Sequence, residues 1–226
     1  MKQVFVIGSS SKIAKNLEAF LDESEYEKTF FGRKNPNNLK DFRQYDGIFD
    51  QESVKALIKI LEEAVAKRKD GADELHLVIL AGVSSRDWLE SFYVNEYLPA
   101  ALSEKFAELA EGLSKPASIT LIGSAAAYMG AKIQYATTKA SLTGILHTIN
   151  RDFAKKVRIN LIVPSAFESG MTDDWSEEKK KAIGESNSIG RLGYSSEIAD
   201  AIKFAIDNKF LTGAMINMTG GLVNIE

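Results

Sequence analysis

The stretch Val4-Phe5-Val6-Ile7-Gly8-Ser9-Ser10-Ser11-Lys12-Ile13-Ala14 decides the fold. Its first four residues are apolar without alternation, the mark of a strand buried on both faces. Glycine and serines then turn the chain, and Ile13, Leu17, Phe20 and Leu21 recur at i, i+4, i+7 and i+8, one stripe of a helix. Thr29 to Phe31 supplies a second short strand, so the amino-terminal segment reads strand, helix, strand.

The alternation continues outward from there. Val54, Leu57, Ile58, Leu61 and Val65 form a second helical stripe, with Asp50 placed to cap its start and Gly71 to end it. Leu75 to Leu80 reads as a strand, Trp88 to about Leu113 as a helix, Ser118 to Ile122 as a strand and Tyr135 to Lys155 as a helix. Val157 to Val163 is the next strand and Glu197 to Asn208 the last helix. Strands separated by helices favour right-handed parallel crossovers. The predicted architecture is α/β, a single Rossmann-type doubly wound parallel sheet with helices on both faces, one domain over residues 1–226.

Composition narrows the function. Against 28 basic residues stand 31 acidic ones, a formal net charge of -3, which argues against a nucleic-acid partner while leaving room for a local basic pocket. With 45% hydrophobic and 26% charged residues in 226, the chain suits a globular domain with a sizeable core. It has no cysteine, and His76 and His147 are its only imidazoles, so no disulfide, thiolate nucleophile or metal centre is expected. The apolar run Val4 to Ile7 is too short for a signal-peptide core or a membrane span. The expected location is cytoplasmic, with no membrane partner.

An open parallel sheet binds ligands beyond the carboxyl ends of its strands, which directs attention to Gly8, Ser10, Ser11, Lys12 and Ile13. Small residues there let backbone N–H groups approach a phosphate at the positive end of the following helix. A tight strand-to-helix turn with no ligand has the same composition, so the turn alone leaves both readings open.

Joined to Tyr135-Ala136-Thr137-Thr138-Lys139, this turn resembles the short-chain dehydrogenase/reductase family, and the likeness spans nearly the whole chain. Along it lie Ala81-Gly82, Asn95, Ser124 closing Leu121-Ile122-Gly123-Ser124, and Pro164 to Met171. Gly190-Arg191-Leu192-Gly193, Glu197-Ile198-Ala199, Leu211-Thr212-Gly213 and Gly220-Gly221 are similar to the oxoacyl-carrier-protein reductase branch. The resemblance implies that Tyr135 donates a proton to a substrate carbonyl, Ser124 hydrogen-bonds the same oxygen and Lys139 holds a nicotinamide ribose. It places Gly8, Ser10, Ser11, Lys12, Ile13, Arg33, Ala81, Gly82, Tyr135, Lys139, Pro164, Phe167 and Ser169 on the cofactor. It also implies a homodimer or homotetramer, in keeping with the small-residue strip Ala136, Ala140 and Gly144.

The residues carry chemistry of their own. Tyr135 and Lys139, at i and i+4, project as neighbours from one helical face. Ionising a tyrosine at neutral pH takes roughly 4 kcal/mol of preferential phenolate stabilisation, which Lys139 and an oxidised nicotinamide together are placed to supply. The bland alternative is an exposed amphipathic pair. In an unbroken helix the Asn95 carbonyl would accept from residue 99, which is Pro99 and has no N–H, so the helix should bend there and leave the carbonyl free. The resemblance implies that this carbonyl holds a water linking the lysine to solvent; a kink without proton traffic is the alternative.

After the second strand the chain reads Phe31-Gly32-Arg33-Lys34, with no carboxylate to bind ribose hydroxyls. Arg33 and Lys34 suit a 2′-phosphate, as does Lys12, which favours NADP(H) over NAD(H); a solvated turn is the alternative. Departures from the family pattern are Lys12 and Ala14 at usual glycines, Leu80 at a usual asparagine, Ser165, Ser169, and Gly47 at an acidic or amide position near the adenine. Ser124 precedes Tyr135 by only 11 positions. The resulting expectation is an NADP(H)-dependent oxidoreductase interconverting a small-molecule carbonyl and a secondary alcohol, a 3-oxoacyl thioester reductase among the candidates. Its rival is a dinucleotide-binding regulatory or scaffold protein without useful turnover.

Overall fold

Each apolar run becomes a strand: β1 (Lys2–Ile7), β2 (Tyr26–Gly32), β4 (Glu74–Ile79), β5 (Ala117–Ile122) and β6 (Val157–Pro164), joined at the edges by β3 (Phe42–Gln44) and β7 (Met215–Met218). The computed structural model describes residues 1–224. All seven strands are parallel, in the order β3-β2-β1-β4-β5-β6-β7. The chain winds outward from β1 to β3, returns past β1, and continues from β4 to β7, so the switch point lies where Ile7 pairs with Ile79.

Side chains alternate across the sheet and divide the core in two. Phe5 and Ile7 face α2 (Gln51–Arg68), α4 (Leu98–Gly112) and α6 (Ile133–Asp152), where Leu57, Phe106 and Leu146 are buried. Val4 and Val6 face α1 (Lys12–Phe20) and α8 (Ser195–Asp207), against Leu17, Ile198 and Ile202. Each such side chain contributes about 1.5–3 kcal/mol by leaving water. Ser11 caps α1 by accepting from the Ile13 N–H at 3.1 Å, and Asp50 caps α2 by accepting from the Ser53 N–H at 2.8 Å. No helix among the described residues is long and apolar enough to cross a membrane.

Several boundaries differ from the sequence expectation. Helix α2 ends at Arg68 and only a single tight turn, Lys69–Gly71, carries the chain to Gly71. The expected helix from Trp88 to Leu113 is three pieces: α3 (Trp88–Phe92), a π-helical segment Tyr93–Tyr97, and α4. Pro99 is the second residue of α4, and its missing donor is absorbed by widening the preceding turn, where the Leu98 N–H donates to Tyr93 O rather than to Val94 O. Helix α7 (Glu177–Glu185) starts at the Ser176 cap. Asp173 and Asp174 therefore precede it and Lys179 to Lys181 sit in its first half. The remaining helix, α5 (Ala126–Met129), is one turn in the loop before α6.

Away from the carboxyl ends, one carboxylate gathers three elements. Asp207 of α8 accepts from Lys2 at 2.8 Å, from Lys203 at 2.6 Å and from the Tyr26 hydroxyl. Burial pushes Asp207 upward, but these three hydrogen bonds outweigh it and hold the carboxyl below the usual range. A depressed carboxylate stabilises the fold above its unfolded pKa and loses that contribution as pH falls through its folded one. Asp207→Asn is predicted to lower stability by about 2 kcal/mol at pH 7. In urea melts the gap between the two proteins should narrow as pH drops below about 4; a gap constant with pH would contradict this.

Candidate active site

The turn after β1 is locked by backbone. The N–H groups of Gly8 and Ser9 both donate to Phe31 O, at 2.8 and 3.0 Å. Gly8 has φ +109°, and a Cβ there would lie 2.9 Å from the Ala81 nitrogen, so only glycine lets the turns after β1 and β4 meet. The buried Ser9 donates from its hydroxyl to Lys34 O at 2.9 Å, and the Asn37 amide donates to Ser9 O at 2.7 Å and Ser11 O at 3.2 Å. The loop after β2 is thereby stitched onto the turn. Asn37 belongs to the site's framework and was not among the residues the sequence singled out.

Of the predicted turn residues, Ser10 is exposed, Ser11 serves as the α1 cap and Ile13 is buried in the core, leaving only its backbone to face a ligand. The Lys12 ammonium is engaged: it donates to Asp173 at 2.5 Å, joining the turn to the segment after β6. Arg33 and Lys34 are exposed and form no ion pair with any described residue. Pro164 ends β6, and Phe167 bridges to Gly193, with Gly193 N–H donating to Ala166 O at 3.1 Å. Phe167 packs against the α1 and α8 core, and the Ser169 N–H donates to Thr172.

Beyond β4 the Ala81 N–H donates to Ile7 O, and Val83 is held at both ends by one side chain: Asn95 Oδ1 accepts from the Val83 N–H and Asn95 Nδ2 donates to Val83 O, each at 2.8 Å. The same amide reaches Thr138 Oγ1 at 3.3 Å, tying the π-helical segment to α6. Thr138 was also missed, because its role depends on contact with a residue 43 positions away. Gly82, between these anchors, faces Lys139; a Cβ on it would lie 3.3 Å from Lys139 Nζ and 3.5 Å from Asn95 Oδ1. The missing side chain lets the loop after β4 pass close to the ammonium.

Lys139 is 6% exposed and donates to Ile122 O at 2.8 Å. Burial pulls its ammonium down to about 8. Tyr135 precedes it by one turn on the same face of α6, and burial pushes its phenol up, with the hydrogen bond to Ser124 acting the other way. The direction is opposite to the acidified phenol expected from the spacing, because the ammonium is turned to the strand carbonyl. Ser124 follows β5, its hydroxyl accepting from the Ala126 N–H at 3.2 Å, and the one-turn α5 fits within the 11 positions to Tyr135. The structure thus brings Ser124, Tyr135, Lys139 and Asn95 to one corner with Ala81 and Gly82. The two histidines stand apart: His76 is buried at 2.8 Å from the Ser118 hydroxyl and His147 is exposed on α6.

Comparison with known proteins agrees with the fold. A family model described as enoyl-(acyl carrier protein) reductase matches residues 53–223. The human 3-oxoacyl-[acyl-carrier-protein] reductase is 28% identical over 169 residues, 73% of this chain and 66% of the relative. The chain spans less than two thirds of the curated relatives' length, and in the Escherichia coli (strain K12) FabG match only 45%. Among solved structures, 4-hydroxyisoleucine dehydrogenase complexed with NADH superposes with a TM-score of 0.86 at 18% identity over 100% of both chains. ElxO with NADPH bound gives 0.83 at 20% identity over 98% of both. At such identities the structures speak for the fold.

The Lys139 direction has a measurable consequence for stability. Its folded pKa lies below its unfolded 10.5, so the buried charge costs stability at neutral pH, and the cost fades as pH rises from about 8 toward 10.5. Lys139→Met is predicted to be more stable than the parent by about 2 kcal/mol at pH 7 and by less at pH 10 in denaturant melts. Equal stabilities at pH 7 would contradict it.

Proposed function

The chain belongs to the short-chain dehydrogenase/reductase family, and on that premise we propose that it is an NADP(H)-dependent reductase interconverting a carbonyl and a secondary alcohol, with 3-oxoacyl thioesters as its substrate class. The observation that carries this reading is the pairing of Ser124 with Tyr135 one helical turn from the buried Lys139, whose ammonium lies beside Gly82. A bound nicotinamide dinucleotide supplies the hydride. Gly8, Ser10, Ser11, the backbone of Ile13, Ala81, Gly82, Pro164, Phe167 and Ser169 are the residues proposed to hold it, with Lys139 on its ribose.

The remaining work falls to the chain. Burial keeps the Tyr135 phenol protonated at neutral pH, which is the form that gives a proton to a carbonyl oxygen. Ser124, held by its turn, donates a hydrogen bond to the same oxygen as negative charge develops on it. On this reading the Lys139 ammonium, one helical turn away, turns from the Ile122 carbonyl toward the phenolate left behind. Asn95 keeps Val83, and with it Gly82, in place, and its carbonyl, which Pro99 cannot reach with a donor, is proposed to hold the water that returns a proton through Lys139.

Three further points belong to the same reading. The open cations Arg33 and Lys34 at the end of β2 support a 2′-phosphate on the ribose, hence NADP(H). The names of the curated relatives support an acyl thioester. The strip Ala136, Ala140 and Gly144 on α6, beside an Ile133 that is 61% exposed, supports pairing of this helix between two copies of the chain.

NADPH oxidation followed by absorbance against 3-oxoacyl thioesters, 2-enoyl thioesters, ketones and keto-sugars tests the assignment. Turnover is expected with 3-oxoacyl thioesters, and Tyr135→Phe should lower it about 10³-fold. Undiminished turnover in that variant would refute the acid role, and tight NADPH binding with silence across the panel would favour a regulatory protein. The double variant Arg33→Ala, Lys34→Ala should weaken NADPH binding at least about tenfold while leaving NADH binding nearly unchanged. Equal losses for both cofactors would remove the NADP(H) preference.

A further inference from the structure

After β3 the chain runs Tyr45-Asp46-Gly47-Ile48-Phe49-Asp50. Ile48 turns into the core, but Phe49 is 68% exposed. Its ring is not adrift. The Phe49 N–H donates to the Ser53 hydroxyl at 2.9 Å, within the cap of α2. The ring lies over Gly47, where φ is +129° and a Cβ would come within 2.6 Å of Phe49 Cζ and 2.7 Å of Cε2. Only a residue without a side chain lets the phenyl group rest there.

A second group meets the same point. Arg33 Cδ lies 3.5 Å from the position of that absent Cβ, so an open aromatic ring and the stem of a guanidinium that pairs with no described carboxylate converge on Gly47. Both lie just past the carboxyl ends of neighbouring strands: Gly32, which ends β2, pairs with Gln44, which ends β3. The loop carrying Arg33 is the one stitched to the turn after β1 by Ser9 and Asn37. Ligands of an open parallel sheet lie outside these strand ends, and the β1-β2-β3 half accommodates one mononucleotide of a dinucleotide. Flat aromatic rings recognise bases by their π-faces, and arginine planes add to the stack.

We propose that Phe49 is the platform on which the adenine base of the dinucleotide stacks, with Arg33 closing the same corner. Gly47 offers no side chain to read the edge of the base, and Asp50 is occupied in capping Ser53. Recognition at this corner therefore comes from area and π-contact more than from hydrogen bonds to the purine. The proposal rests on the dinucleotide reading above and deepens it by naming a specificity residue.

The test is equilibrium binding by calorimetry, on the full chain, of NADPH, of 2′-phosphoadenosine 5′-diphosphate and of reduced nicotinamide mononucleotide. Phe49→Leu keeps apolar bulk but removes the ring. It should weaken NADPH and the adenine-bearing half by about tenfold, leave the mononucleotide unchanged, and melt with the parent. Phe49→Tyr, which restores the ring, should recover the affinity. Parent-like binding of NADPH and the adenine half by Phe49→Leu would overturn the platform while leaving the dinucleotide reading intact. Failure of the parent to bind NADPH or either half would overturn both. A loss shared by the mononucleotide would assign Phe49 to general packing and reject the proposal.

Discussion

The proposed catalytic corner depends on one buried charge, the Lys139 ammonium, with the Ile122 carbonyl as its hydrogen-bond partner. A lysine so placed would leave for water if its helix were free to shift. Helix α6 is not free, because Leu142, Leu146 and Ile149 bury its other contacts against the sheet. The core thus holds a group in place that opposes folding, a common arrangement where function needs a desolvated charge. Tyr135, one turn earlier, inherits its position from the same helix. Its phenol stays protonated because it too is partly removed from water.

Around this pair the structure is a set of stitches between loops at the carboxyl ends of the strands. Asn95 fastens the loop after β4, and Ser9 and Asn37 fasten the loop after β2. Lys12 and Asp173 tie the turn after β1 to the segment after β6. Each stitch uses a side-chain amide, hydroxyl or charge where backbone pairing has ended. Rigid strand ends and fastened loops give a site whose residues keep their spacing without a ligand.

How much of this could be read from the sequence depended on whether the signal was local. Strands such as Val4–Ile7 and helical stripes such as Val54 to Val65 carry periodicity within one short window, and they stand where expected. Strand β3 does not: Phe42-Arg43-Gln44 has one apolar residue and forms only because β2 offers an edge. The Pro99 lesion was legible, but not that a π-helical turn would absorb it. Lys12 was legible as a cation near the turn, whereas its partner Asp173, 161 positions on, was not. For Tyr135 and Lys139 the spacing conveyed adjacency, while the direction of each titration followed from burial that only the packed sheet reveals.

The most direct measurement is a crystal structure of the chain grown with NADPH. The account predicts the nicotinamide lying over Gly82, with its ribose on Lys139 and the Tyr135 hydroxyl facing the reactive edge of the ring beside Ser124. A nicotinamide half placed elsewhere, or a Tyr135 hydroxyl turned away from an occupied crevice, would contradict it.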